Sequence, residues 1–81
     1  MTYVIYLNSN NEWDGKSGNA YGYWTGKSYK SQGEVFPVTE NYITSNTKIY
    51  QSKVRALKAG DNCYMNYGYV KSVLIEENLV V

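Results

Sequence analysis

The sequence predicts an α+β fold, an antiparallel sheet of four to five strands with one helix packed on one face, in the order β-β-hairpin-α-β. Three observations predict it. Residues 3–7 and 20–38 are rich in β-branched and aromatic side chains punctuated by turn formers, residues 52–67 switch to a helical period, and residues 69–76 return to alternation. With 81 residues the chain falls below the usual domain size of about 100 to 150, so residues 1–81 are expected to form a single domain.

Strand one is Tyr3-Val4-Ile5-Tyr6-Leu7, which stops at the turn formers Asn8-Ser9-Asn10-Asn11. Residues 20–25 form the second strand, with Tyr21 and Tyr23 on one face and Gly22 and Trp24 on the other, and Gly26 is expected to interrupt it. Residues 27–31 and 34–38 flank Gln32-Gly33, whose glycine supplies the positive φ of a hairpin turn. Pro37 lacks a backbone N–H, which puts the second arm on an edge or at a bend. The run Thr44-Ser45-Asn46-Thr47 reads as a loop leading toward a helix.

On a helical wheel over residues 52–67, Arg55, Lys58, Asn62 and Asn66 share one arc. Val54, Leu57, Tyr64 and Met65 share another, flanked by Ala56, Gly60, Cys63 and Tyr67. The expectation is that Val54, Leu57 and Tyr64 pack on the sheet while Arg55, Lys58 and Asn62 face water. Gly60-Asp61 marks a place where this helix would break, because a mid-helix glycine costs about 1 kcal/mol relative to alanine. Gly68 stands where a left-handed C-terminal cap is expected, and residues 69–76 form the closing strand.

Composition closes more functions than it opens. Eight basic against seven acidic residues give a formal charge of +1, too small a field to favour nucleic acid or a basic partner. The chain has no histidine, so Ser-His-Asp, Cys-His and histidine-based metal chemistry are absent. Cys63 is the only cysteine, which fits a reducing compartment and a small buried apolar role. Glu76-Glu77 point to opposite faces of a strand and cannot act as a carboxylate pair. Neither a signal-peptide h-region nor a run of about 20 apolar residues appears, so cytoplasmic residence is expected. The chain reads as a binding protein without catalysis and without a cofactor.

Two features point to what it binds. Trp13-Asp14-Gly15-Lys16-Ser17 and Trp24-Thr25-Gly26-Lys27-Ser28 repeat the pattern Trp-x-Gly-Lys-Ser, each placing an aromatic face beside a cation. The alternative is two turns with solvated lysines. A P-loop is excluded, because its first glycine would fall on Asn10 or Tyr21. Ten tyrosines are the second feature, with Tyr21, Tyr23, Trp24 and Tyr29 crowding one window beside Lys30. Trp13, Lys16, Tyr21, Tyr23, Trp24, Lys27, Tyr29 and Lys30 are therefore the candidate ligand-binding residues. Lys48, Lys53, Arg55 and Lys58 are a candidate basic face for phosphate or an acidic protein.

The stretch Ile49-Tyr50-Gln51-Ser52-Lys53-Val54-Arg55-Ala56, followed by Asn66-Tyr67-Gly68-Tyr69-Val70 and Ile75-Glu76-Glu77, resembles small uncharacterised proteins from phages and mobile elements of Gram-positive bacteria. The resemblance covers about the last 30 residues and implies antagonism of host defence, either by binding a defence protein or by sequestering a nucleotide signal. The leading expectation is capture of a nucleotide-type small molecule by a homo-oligomer. A protein-binding inhibitor of a host defence enzyme is the alternative, and single-stranded nucleic-acid binding a further one.

Overall fold

The computed structural model describes residues 2–8, 20–68 and 70–78. They form strands β1 (Thr2–Asn8), β2 (Ala20–Ser31) and β3 (Glu34–Glu40), helix α1 (Lys53–Asn66) and strand β4 (Ser72–Asn78). The strands make one antiparallel sheet in the order β3-β2-β1-β4, so the last strand returns to lie beside the first. The expected class holds, with four strands and one helix. The turn at residues 9–11 expected after the first strand lies outside the described residues.

Gly26 does not end the second strand. It bends it: β2 runs unbroken to Ser31, and its register with β3 shifts between Trp24 and Ser28. Gly26 has φ +84, and a Cβ there would meet the Lys48 side chain at 3.2 Å. The bulge turns β2 away from β1, and the segment around Lys48 to Tyr50 fills the gap. Lys48 N–H donates to the Trp24 carbonyl at 3.0 Å, while Tyr3 and Tyr50 exchange backbone hydrogen bonds of 2.8 and 2.9 Å. The β2–β3 hairpin closes at Gln32 (φ 52) and Gly33 (φ 83), both left-handed, as the two-residue turn that matches strand twist requires. Pro37 sits on β3, an edge of this sheet, where its missing N–H breaks no ladder.

The helix starts at Ser52, whose hydroxyl accepts from Arg55 N–H at 3.5 Å, and runs without a break through Gly60-Asp61. Its phase differs from the expected one. Ala56, Gly60 and Cys63 are the buried residues of α1, whereas Val54, Leu57, Tyr64 and Met65 are 60%, 46%, 57% and 79% exposed. The small residues that the wheel placed as flanks are the sheet-facing stripe. A Cβ on Gly60 would stand 2.8 Å from Val73 Cγ1, so the glycine admits the helix closer to β4 than any side chain allows. Gly68 is not a left-handed cap, since it lacks a positive φ. The helix ends instead at Tyr67, in extended conformation, with its N–H on the Cys63 carbonyl at 3.0 Å.

The core lies between helix and sheet, with Ile5, Leu7, Cys63, Tyr67 and Val70 buried and Trp24, Val35, Tyr50, Val73 and Ile75 packed around them. Cys63 is a buried free thiol whose pKa burial pushes up to about 11. It is a small apolar filler, as expected, and not a nucleophile near neutral pH.

Candidate functional site

Alternation along the strands sorts the sheet into two faces. Ile5, Leu7, Trp24, Val35, Val73 and Ile75 belong to the face that packs on the core. Directly paired residues share a face, so the other face carries Val4 beside Glu76, Tyr6 between Tyr23 and Leu74, and Glu40 beside Tyr23. Tyr29 and Phe36, next in register to Lys30 and Val35, lie on that second face too. Among the described residues, no helix or further strand covers it. Val4 is fully buried there, while Leu74 and Tyr29 are more than half exposed.

Two aromatic pairs organise this second face. Tyr6 and Tyr23 meet edge to face with centroids 5.0 Å apart. The Tyr23 hydroxyl donates to Glu76 Oε1 at 3.1 Å, and burial together with that carboxylate raises its pKa. Toward the hairpin, Tyr29 stacks on Phe36 with centroids 5.5 Å apart. Between the pairs, along β2 and β3, the bulge and the loop after β3 border a polar cleft of about 430 Å³ lined by Thr25, Lys27, Val38, Glu40, Ser45 and Asn46. The Thr25 hydroxyl donates to the Val38 carbonyl at 2.9 Å. The Glu40 carboxylate accepts from the Thr44 hydroxyl and from Asn46 Nδ2, and these hydrogen bonds hold its pKa below the usual range. Glu40 is therefore charged at neutral pH.

The expected ligand residues divide accordingly. Trp13 and Lys16, the first Trp-x-Gly-Lys-Ser unit, lie outside the described residues, as does the side chain of Tyr21. Trp24, expected as a stacking face, is part of the core side instead. Its ring meets Tyr67 edge to face at 6.4 Å, and its indole N–H donates to the Lys27 carbonyl at 3.1 Å. The second unit is thus a bulge closed by its own tryptophan. Lys27 is exposed at the cleft, Lys30 is exposed on the face opposite Tyr29, and Tyr23 and Tyr29 are on the second face.

The four expected basic residues do not make one face. Lys53 and Arg55 are two positions apart, and so point about 160° from each other on the helix. Only Arg55 and Lys58 share an arc. Lys48 packs its stem on Gly26 and sets its ammonium 5.8 Å over the Tyr50 ring, away from both. Sequence reasoning missed Phe36, Leu74 and Glu76 as neighbours of the tyrosines. Phe36 reaches Tyr29 through the β2–β3 hairpin, while only the pairing of β1 with both β2 and β4 brings Leu74 and Glu76 beside Tyr6 and Tyr23.

Among the described residues no group of three or more His, Cys, Asp or Glu is placed to hold a metal ion, and no helix is long and apolar enough to cross a membrane. No family model, curated protein or solved structure matches this chain.

Proposed function

We propose that the protein is a non-enzymatic binding module that engages a protein partner through the aromatic face of its sheet opposite α1. The observation that carries this reading is the pairing of Tyr6 with Tyr23 and of Tyr29 with Phe36 on a face that also bears Leu74 and no covering element among the described residues. Tyrosine and phenylalanine offer large contact area with few rotors to order, the property that makes them anchors at protein interfaces. The charge on that side favours a protein with basic groups over a phosphate. Among the described residues, Glu34, Glu40 and Glu76 stand there against Lys27. In the setting that the resemblance implies, the partner is a host defence protein and the binding inhibits it.

A nucleotide-type ligand is the second reading, favoured by one observation. Lys27 lines the polar cleft with Thr25, Ser45 and Asn46, which supply hydrogen-bond donors and acceptors around a space fit for a small polar molecule.

One experiment separates the two. A photoreactive phenylalanine analogue replaces Tyr29 in one protein and Lys58 in another, and both are irradiated in cells of the source organism. The protein-partner reading expects one discrete protein adduct from position 29 and none from position 58. A nucleotide retained in native mass spectrometry of the wild type and lost on Lys27→Ala, with no adduct at position 29, replaces it with the second reading.

A further inference from the structure

We propose that the exposed apolar stripe of α1 is a contact between two copies of this chain, packed helix against antiparallel helix. A 14-residue helix that turns Ala56, Gly60 and Cys63 to the sheet leaves Val54, Leu57, Tyr64 and Met65 in water, all on one arc. Four large apolar side chains grouped on one surface helix are more than single exposed residues need explaining. They are also arranged in a way that matches a second copy.

Asp61 stands in the middle of the stripe, and the residues around it are placed symmetrically. Leu57 and Met65 lie four positions to either side, Lys58 and Tyr64 three, Val54 and Gly68 seven. When two such helices run antiparallel about a two-fold axis at Asp61, Leu57 of each comes level with Met65 of the other. Val54 comes level with the other copy's chain just past Asn66, where that helix has ended and no bulky helical side chain opposes it. Each Lys58 is about 4.5 Å along the axis from the other copy's Asp61, so two ammoniums flank the two carboxylates that meet at the axis. The group is neutral as a whole, which turns an acid in an apolar stripe from a liability into a register mark. A parallel pair loses this match.

The helix is only about 21 Å long, so the contact falls below the ~1,600 Å² of a standard stable interface. Association is accordingly weak and needs high protein concentration. It is independent of the sheet face and leaves that face free for another partner.

Sedimentation velocity from about 10 μM to about 1 mM reads the pairing. The wild type is expected to move from monomer toward dimer, and Leu57→Glu and Met65→Glu each to raise the dissociation constant about tenfold or more. Both positions face solvent in the monomer, so circular dichroism should be unchanged. Orientation is read separately. Asp61→Cys is expected to oxidise to a disulfide-linked dimer, since the two copies meet there, whereas Arg55→Cys on a different arc is not. A chain that stays monomeric at every concentration overturns the proposal, as it would if the stripe served an unrelated protein. So does a dimer indifferent to Leu57→Glu, or one in which Arg55→Cys cross-links as fast as Asp61→Cys.

Discussion

Replacing Gly60 with alanine tests how α1 is seated. At a solvent-facing helical site this change stabilises by about 1 kcal/mol, because alanine has less backbone freedom to lose. Gly60 is buried against β4. Its new methyl would lie 2.8 Å from Val73 Cγ1 and 3.2 Å from Ile75 Cδ1, inside the ~3.5 to 4.0 Å at which carbon atoms rest. The Ile75 methyl is the far end of a flexible side chain and yields cheaply, but Val73 is stiff at χ1, so the helix or the strand must move. Overpacking of this kind costs about 1 to 3 kcal/mol, and subtracting the propensity gain leaves a net loss of about 1 kcal/mol. In a domain of this size that lowers the melting temperature by about 4 to 8 °C. Urea unfolding followed by far-UV circular dichroism measures it, with Gly60→Ala, Val73→Ala and the double variant forming a cycle. The double variant should regain at least about 0.5 kcal/mol over the sum of the singles, because Val73→Ala removes the atom that clashes. Gly60→Ala more stable than the wild type by about 1 kcal/mol would refute the close approach of helix to sheet.

Leu57→Ala should cost under about 1 kcal/mol at concentrations where the chain is monomeric, since Leu57 is 46% exposed, while Ile5→Ala should cost about 2 to 5 kcal/mol; their urea midpoints make the comparison. Gln32→Asn should raise stability by roughly 0.5 kcal/mol, because Gln32 holds φ 52 in the hairpin turn and asparagine tolerates that conformation better; thermal melts read the gain. Alkaline pH should destabilise the fold through Cys63. Its thiol ionises near 9 when unfolded and near 11 when folded, so this contribution is fully present below pH 9 and is lost as pH rises toward 11, by about 2 kcal/mol. Urea midpoints of wild type and Cys63→Ala at pH 7 and pH 10 isolate it, and the variant should show the smaller drop.

Local chemistry determined much of this fold from the sequence by itself. The apolar run at Tyr3 to Leu7 reads as a strand. Gln32-Gly33 admits few backbones besides a tight turn, and the helical period over residues 52–67 marks the helix. The absence of histidine closes Ser-His-Asp, Cys-His and histidine-based metal chemistry. Tertiary structure alone decided which helical arc meets the sheet. Hydrophobicity favoured Val54, Leu57 and Tyr64, and packing chose Ala56, Gly60 and Cys63, because a helix lying close on a sheet is limited by side-chain volume at the contact, a quantity set by two elements together. The same holds for Gly26, which reads as a strand end until the segment at Lys48 to Tyr50 is seen filling the space its bulge opens. Of the candidate site, Tyr23 and Tyr29 were legible as aromatic residues on one strand. Their partners Tyr6 and Phe36, and the withdrawal of Trp24 into the core beside Tyr67, follow from strand register and from which face the helix occupies. The pairing of Tyr29 with Phe36 follows from the local hairpin register set at Gln32-Gly33, whereas Tyr6 with Tyr23 and Trp24 with Tyr67 are long-range pairings, fixed by the burial of the whole sheet.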